Sequence, residues 1–304
     1  MTGTTEKVAI IGVGTQGAQI AYRCAVSNKT VYLFDTSKEM LDKATQKITT
    51  WLDDHVKKGK LTKEEADLAF KRIHVCATLA DSLADVELAI ESVPEDLDLK
   101  RKVWADIDSI APAKTLLTTN SSSLRSSEIA GVTTRKDRTF NVNFSFPVDD
   151  YLVEVMWNKD TSEETKVAVR QFLDSLHMAV VETRREIKGF TFNRVWRAIK
   201  KECLFLYGNG YCNPQDLDRA WMLEFGTPFG PFGLMDMIGL DVVRDIELSY
   251  YHDSGNESDK PPKSLYEMIE RGHLGVKTGK GFYEYPNPAY ERPDFLFGQS
   301  PRER

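Results

Sequence analysis

The stretch KVAIIGVGTQGAQIAYRCAVSNKTVYLFD, residues 7–35, decides the fold of the N-terminal part of the chain. Its first five residues form a short apolar run that is typical of a buried parallel strand. A glycine-rich segment over residues 12–17 follows, and then small and apolar residues at helical spacing. A second apolar run over residues 31–34 ends at Asp35. The order strand, glycine turn, helix, strand predicts one βαβ unit.

The glycine segment has the spacing G-x-G-x-x-G, formed by Gly12, Gly14 and Gly17. Alone this pattern is weak, but here it follows a strand, opens a helix and precedes an acid that ends the next strand. The three glycines allow a tight turn, a close approach to a pyrophosphate and close packing of helix on strand. We therefore predict a dinucleotide site that also includes Thr15 and Gln16, at the start of the helix, where free N–H groups meet the phosphates.

Asp35 indicates which dinucleotide is bound. A carboxylate at the end of the second strand accepts hydrogen bonds from the adenosine ribose and repels the extra phosphate of NADP. No arginine follows it, since the next residues are Thr36, Ser37 and Lys38. FAD is the other candidate, but one short domain without any other flavin motif favours NAD.

The rest of the chain predicts an α/β fold, with an N-terminal doubly wound Rossmann domain followed by an all-α C-terminal domain. Further strands are predicted at residues 73–76, 86–90, 115–118, 140–144 and 153–156, and they alternate with helical patterns. The character changes near residue 185, so we place an NAD-binding domain at 1–186 and a helical substrate and dimerisation domain at 187–304. There we predict a helix over residues 235–248, interrupted at Gly239, and a polar loop over residues 252–262.

Composition and charge restrict the class of protein. The net charge is -6, so we expect no nucleic-acid partner and no attraction to anionic membranes. No apolar stretch approaches the ~18 residues of a membrane span, and the N-terminus lacks the pattern of a signal peptide. The four cysteines form no C-x-x-C pair and no zinc spacing, which predicts reduced thiols, no metal and a cytoplasmic location.

Several ordered motifs make the chain resemble the single-polypeptide 3-hydroxyacyl-CoA dehydrogenases. They are GVGTQG, VKKGKLTKEEADLAFKRI, ESVPEDLDLK, TNSSSL, LVEV, KGFTFNR, GPFGLMDMIGLD and GVKTGKGFYEY, and they extend from about residue 7 to residue 285. The resemblance implies a role in fatty acid metabolism and a homodimer formed by the helical domain. It also implies an acyl-CoA between the domains and transfer of a hydride to NAD from the carbon that bears the 3-hydroxyl group, while a His–Glu pair moves the proton.

The same resemblance implies three catalytic or substrate-binding residues. The serine that follows the TN strand end is Ser122, the glutamate of LVEV is Glu154, and the asparagine of GFTFNR is Asn193. Ser122 and Asn193 are expected to hold the reacting oxygen and the thioester region. The alternatives are a helix cap for Ser122, a cap or core amide for Asn193, and a vestigial role for Glu154.

Five further residues match binding positions of the family. Glu95 and Lys100 match positions near the nicotinamide end of the cofactor, and Asn120 belongs to the same predicted cofactor site. Lys57 and Lys60 lie in the segment that approaches the CoA phosphates and adenine in the family. The alternative for the two lysines is a solvated turn.

The family's histidine is missing from this chain. The family has R-x-x-x-x-H-F-x-N-P before LVEV, and counting from Arg138 puts Asn143 in the place of the histidine. Phe146 replaces an asparagine that touches the cofactor in the family. An amide can polarise a carbonyl group by a hydrogen bond, but it cannot supply the proton as an imidazole can.

Three interpretations follow. In the first, the chain is an NAD-dependent oxidoreductase of a 3-hydroxy or 3-oxo acyl substrate, as CoA ester or free acid, and another group supplies the proton. The candidates are Glu154 through a water, Tyr151, Asp149 and Asp150. In the second, Asn143 marks a catalytically impaired NAD-binding homologue with a regulatory or scaffold role. In the third, the substrate supplies its own acid.

Overall fold

Strands and helices alternate from residue 7 to residue 183 in the computed structural model, which describes residues 5–145 and 151–297. The chain divides into two units, Met1–Phe192 and Asn193–Arg304. The division falls within the first turn of a helix, whereas the domain boundary predicted from the sequence lies ahead of that helix.

The first unit is built on one eight-stranded sheet. The strands are β1 Lys7–Ile11, β2 Thr30–Phe34, β3 Ile73–Val75, β4 Leu88–Glu91, β5 Leu116–Thr119, β6 Thr139–Phe144, β7 Leu152–Trp157 and β8 Ala179–Thr183. Their order is β3-β2-β1-β4-β5-β6-β7-β8. All neighbours pair in parallel except β6 and β7, which are antiparallel.

Helices cover both faces of this sheet. They are α1 Thr15–Val26, α2 Lys38–Lys57, α3 Lys63–Lys71, α4 Leu79–Leu83, α5 Leu97–Ile110, α6 Ser126–Ile129 and α7 Glu163–Ser175. Ile10 packs in one apolar core with residues of α1, α2 and α3, whereas Ile11 packs in a second core with Trp104 of α5. Because successive strand residues face opposite sides, both faces are buried, and the predicted doubly wound domain is confirmed.

The second unit consists of helices joined by turns. They are α8 Phe192–Gly208, which starts in the first unit, α9 Pro214–Phe225, α10 Pro231–Ile238, α11 Leu240–Ser254 and α12 Lys263–Glu270. Residues 193–297 contain isolated bridges but no strand, so the predicted all-α domain is confirmed. Gly239 separates α10 from α11 with a φ of 100°, as its position in the sequence predicted.

One strand was missed in the sequence, and the predicted start of one loop was wrong. Strand β8 was not predicted, because it is an edge strand whose residues are mostly exposed or half-buried. The segment 252–262 is not simply a polar loop: α11 continues to Ser254, and Asp259 pairs with Arg197 at 2.9 Å and with Lys201 at 2.6 Å. Ion pairs with α8 therefore order a segment whose composition alone indicates a loop.

Two buried carboxylates of the second unit bind backbone N–H groups of the C-terminal motifs. Asp218 accepts hydrogen bonds from the backbone N–H groups of Phe232 and Gly233 at the start of α10, both at 2.9 Å. Asp236 accepts the N–H groups of Phe282 and Tyr283, both at 2.9 Å. Burial raises the pKa of Asp236 to about 6. These bonds join the motifs GPFGLMDMIGLD and GVKTGKGFYEY within one core.

Candidate active site

The glycine turn between β1 and α1 has little room for side chains. Gly12 has a φ of 91°, and a Cβ there would lie 2.7 Å from the carbonyl oxygen of Ser92. A Cβ on Gly17 would lie 2.0 Å from the carbonyl oxygen of Gly12. At Gly14, in contrast, an added Cβ would meet nothing within 4 Å. Two glycines are therefore required by packing, and the third leaves open space beside the turn.

The start of α1 fits an anionic ligand. Gly14 is the N-cap, no side chain caps the helix, and its first turn contains no acidic residue. The N–H groups of a first helical turn have no partner within the helix, and the helix dipole favours negative charge there. Thr15 is exposed at this end, and Gln16 has a buried Oε1 without a hydrogen-bond partner among the described residues. The turn therefore suits a pyrophosphate.

Asp35 joins the end of β2 to the glycine turn. Its Oδ2 accepts the N–H of Val13 at 3.0 Å and its Oδ1 accepts the N–H of Ser37 at 2.9 Å. Each carboxylate oxygen can accept more than one hydrogen bond. The half-buried carboxylate is thus oriented by the backbone and keeps acceptor capacity for the hydroxyl groups of a ribose.

An ion-pair network lies where β4 ends. Lys100, which is 1% exposed, bonds Glu91 at 2.7 Å and the carbonyl oxygen of Val93 at 3.0 Å, and it lies 3.3 Å from Glu95. Burial acts to raise the pKa of Glu95, but hydrogen bonds from two serines and the Lys100 ammonium hold this pKa below its ordinary value. Lys100 therefore fixes the turn that carries Glu95, and direct contact of either residue with a cofactor stays a prediction.

A serine loop, residues 120–126, follows β5 at the same edge of the sheet. The side-chain oxygen of Asn120 accepts the N–H of Phe144 at 3.1 Å, which extends the pairing of β5 with β6. Ser121 and Ser123 both donate their hydroxyl groups to Glu95. Ser122 lies between them with its side chain exposed. The loop thus brings Ser122 to the carboxyl edge of the sheet, where ligands bind in doubly wound folds.

Asn143 and Glu154 are directly opposite each other in the antiparallel pair β6–β7. Asn143 is half-buried, and Glu154 is 2% exposed. The Oε1 of Glu154 accepts the N–H and hydroxyl of Thr191, at 3.1 and 2.8 Å, and the N–H of Phe192 at 2.9 Å. The structure therefore brings the predicted pair together, and it also shows that Glu154 binds the start of α8.

The other predicted residues lie elsewhere. Asn193 is half-buried and follows Phe192 in the first turn of α8. Lys57, the last residue of α2, and Lys60, just after it, are exposed, and Lys57 lies 3.3 Å from Asp54. Their contact with a substrate stays a prediction.

Three residues of the predicted site, Phe146, Asp149 and Asp150, lie outside the described residues. Tyr151 is 51% exposed, and the guanidinium of Arg23 on α1 lies 4.4 Å from its ring centre. Arg23 contacts the face of the Tyr151 ring and not its hydroxyl group. The role of this hydroxyl group in proton transfer stays a prediction.

Sequence reasoning missed two buried polar residues, Glu91 and Asn141, that organise this edge of the sheet. Both lie in otherwise apolar strands, LAIE and TFNVNF. Since a polar side chain is buried only with a partner, its presence in such a strand was the available indication.

The described residues contain neither a metal cluster nor a membrane-spanning helix. No group of three or more His, Cys, Asp or Glu side chains is arranged to hold a metal ion within residues 5–145 and 151–297. In the same part of the chain, no helix has both the length and the apolar character that a membrane span requires.

Comparison with known proteins identifies both units. The family profile for the NAD binding domain of 3-hydroxyacyl-CoA dehydrogenase matches residues 7–187, and the profile for its C-terminal domain matches residues 189–285. A 3-hydroxybutyryl-CoA dehydrogenase of Clostridioides difficile is 34% identical over 281 residues, which cover 92% of this chain and 99% of that protein.

Solved structures give the same result. The chain is similar to (S)-3-hydroxybutyryl-CoA dehydrogenase PaaH1 from Ralstonia eutropha, with a TM-score of 0.86 and 32% identity, over 93% of this chain and 100% of that one. It is also similar to a diketoreductase described as acting on dicarbonyl compounds, with a TM-score of 0.84 and 29% identity, over 93% and 100% of the two chains.

Proposed function

The chain belongs to the 3-hydroxyacyl-CoA dehydrogenase family and is an NAD-dependent oxidoreductase, and from this premise we propose that it interconverts a 3-hydroxyacyl and a 3-oxoacyl thioester. One observation carries the proposal. Open space at Gly14, the uncapped start of α1 and the carboxylate of Asp35 lie at the edge of the sheet where the serine loop presents Ser122, and we assign them to the dinucleotide.

NAD, when bound, supplies or accepts the hydride at the carbon that bears the 3-oxygen. The protein's part is to hold that oxygen and manage its proton. We assign Ser122 and the amide of Asn143 as hydrogen-bond donors to the 3-oxygen, and Asn193 as a third polar contact to the substrate. Because an amide cannot give up its proton for transfer, we assign the proton to the carboxyl group of Glu154, whose Oε1 is bound by Thr191 and Phe192. It passes through one water to the 3-oxygen when the ketone is reduced, and it returns to the carboxylate by the same route when the alcohol is oxidised.

A CoA ester is favoured over a free acid as the substrate. Lys57 and Lys60 are exposed and place two positive charges at the surface where α2 ends, which suits a ligand that carries phosphates. We expect Lys57→Glu and Lys60→Glu to raise KM for acetoacetyl-CoA about 10-fold, because each reverses a charge beside the nucleotide. A truncated acetoacetyl thioester that lacks the nucleotide is the control substrate, and its KM should not change. Equal effects on both substrates would contradict this CoA site.

The direct test of function is NADH oxidation by acetoacetyl-CoA. We expect turnover with the wild-type protein, and a loss of about 10²-fold in Ser122→Ala, as for one donor to a developing oxyanion. NADPH should replace NADH poorly, because Asp35 repels its additional phosphate. Tight NADH binding without any turnover would refute the proposed reaction, and absence of NADH binding would refute the cofactor site as well.

We further propose that the protein is a homodimer joined through its helical unit. Val195, Phe205 and Phe225 are large apolar residues of that unit, and they are 61%, 51% and 65% exposed. Such residues are favoured in the core of homodimer interfaces. Light scattering should give twice the mass of one chain, and Val195→Glu should shift it toward the mass of one chain. A wild-type mass of one chain at all concentrations would contradict the dimer.

We also propose a cytoplasmic location. Cys24, Cys76, Cys203 and Cys212 are all free, and two of them are buried. Free thiols are typical of a reducing compartment. A fluorescent fusion of the full chain, viewed in its own cell, should distribute through the cytoplasm, and enclosure within an organelle would contradict the proposal.

A further inference from the structure

A buried amide outside the predicted site holds the serine loop. Asn141 lies on β6 and is 0% exposed. Its Nδ2 donates to the carbonyl oxygen of Leu124 at 2.9 Å and to that of Ser121 at 3.4 Å. Its Oδ1 accepts the backbone N–H of Ser126 at 2.6 Å. One side chain therefore binds the loop at three points.

These bonds fix the backbone on both sides of Ser122. Ser121 and Ser123 are held in addition by Glu95. The hydroxyl of Ser122, by contrast, makes no hydrogen bond to any residue in the described part of the chain. Since no residue of ranges 5–145 and 151–297 anchors the side chain of Ser122 by a hydrogen bond, its position depends on how its neighbours are held.

Asn141 and Asn143 lie on the same face of β6. Residues two apart on a strand face the same side, about 6.6 Å apart, and the sequence TFNVNF places both amides on one face of β6. The face that binds the serine loop is therefore continuous with the face that presents Asn143. A shift of the loop against β6 would change the distance between the two donors assigned to the 3-oxygen.

We propose that Asn141 is the positioning residue for Ser122: it sets the distance between Ser122 and Asn143 that the substrate oxygen requires. The inference rests on the proposed function. An amide is disfavoured within a strand and costly to bury without partners, and here its three bonds all go to the serine loop. An apolar residue would leave the N–H of Ser126 and the carbonyl oxygen of Leu124 unpaired.

Asn158 provides a matched control. It is also a buried amide, 5% exposed, and its Nδ2 donates to Ser126 at 3.0 Å and to the carbonyl oxygen and hydroxyl of Thr139 at 3.0 and 2.9 Å. Within the described part of the chain, Asn158 makes no hydrogen bond to Ser121 or to Leu124. Its Oδ1 also accepts the N–H groups of Asp160 and Thr161, at 2.8 and 3.0 Å. Asn158→Ala should therefore cost at least as much stability as Asn141→Ala, without moving Ser122.

The experiment is a double-mutant cycle of Asn141→Ala and Ser122→Ala, read as kcat/KM for acetoacetyl-CoA with NADH. We expect Asn141→Ala to lower kcat/KM about 10- to 100-fold, as for a small misplacement of a reacting group. In the Ser122→Ala background the same change should cost only about 2-fold, because residues that act through one another are not additive. Asn158→Ala should stay within about 2-fold of wild type, and NADH affinity should be unchanged in all variants.

The outcomes of the cycle separate the role of Asn141 from that of Ser122 and from the proposed function. Additive losses in the cycle, or an equal loss in Asn158→Ala, would overturn the role of Asn141 while Ser122 keeps its role. If Ser122→Ala alone had no effect, the role of Ser122 would fail and this inference with it, while the proposed reaction would stand. If the wild-type protein did not turn over, the proposed function itself would fail. If Asn141→Ala does not fold, as judged by loss of NADH binding, Asn141→Ser takes its place in the cycle, since it keeps a hydroxyl donor.

Discussion

Restoring an imidazole at position 143 should accelerate the reaction. Asn143 faces Glu154 across the β6–β7 pair, and directly opposite residues have Cβ atoms about 4.5–5.5 Å apart. An imidazole introduced by Asn143→His would therefore lie within reach of the carboxylate. A nearby carboxylate favours the protonated imidazole, which is the form that gives a proton to the 3-oxygen when a ketone is reduced.

The expected gain follows from general acid catalysis. A positioned acid contributes about 10²- to 10⁴-fold in rate, or about 2.7–5.4 kcal/mol at 1.36 kcal/mol for each factor of ten. We expect the lower end, because the Oε1 of Glu154 is already bound to Thr191 and Phe192 and only part of the carboxylate remains to orient the ring. The measured quantity is kcat for NADH oxidation by acetoacetyl-CoA as a function of pH.

The pH profile and a second variant separate this gain from other effects. Asn143→His should add a decline of kcat as pH rises through or above the ordinary histidine pKa of about 6.5, and Asn143→Gln, which has no titrating group, should not. The gain should shrink when Glu154→Gln is added. If Asn143→His folds and binds NADH normally but kcat does not increase, proton transfer does not pass through position 143 and the reasoning is refuted.

Three further predictions concern the cofactor site and the framework. Asp35→Ala should weaken NADH binding about 10- to 100-fold, because charge-assisted hydrogen bonds to the ribose are lost, and calorimetry that gave an unchanged Kd would contradict the role of Asp35. Gly17→Ala should lower the free energy of unfolding by about 3 kcal/mol, because its Cβ would lie 2.0 Å from the oxygen of Gly12; a change in urea unfolding below about 0.5 kcal/mol would contradict this steric argument. Burial raises the pKa of Asp108, but bonds from threonine hydroxyl and N–H groups and from Arg135 outweigh it and lower this pKa from 3.8 to about 2. Its contribution of about 2 kcal/mol to the free energy of unfolding is therefore present above about pH 4 and lost as the pH falls toward 2. In Asp108→Asn, the free energy of unfolding measured in urea should depend less on pH over that range. An unchanged pH dependence would contradict the assignment.

The fold was predictable because its signals are local. Residues 7–35 contain a buried strand, a glycine turn and a helix whose order needs no distant contact to be recognised, and β1 has the bounds that were predicted. The capping box of α3, in which Thr62 and Glu65 bond each other's backbone, is also local, since the two residues are three apart in the sequence. Strand β8 was not predictable, since an edge strand with exposed residues lacks a clear apolar pattern.

For the candidate site, the sequence motifs predicted residues but not how those residues are arranged. The motifs named Ser122, Glu95 and Lys100, but only the structure shows that Lys100 is buried and that Glu95 holds the serines on either side of Ser122. Glu154 was predicted as a partner in proton transfer, and its three bonds to the start of α8 were not foreseen.

The sequence alone determined the cofactor domain and its preference for NAD, because glycine spacing and one carboxylate act through local backbone geometry. The tertiary structure decided which side chains meet at the sheet edge. Asn141 lies on β6, and the serine loop that it binds follows the neighbouring strand β5. Glu154 and the start of α8, which it binds, are far apart in the chain. Hydrogen bonds between such segments depend on strand order and register, which no single stretch of sequence contains.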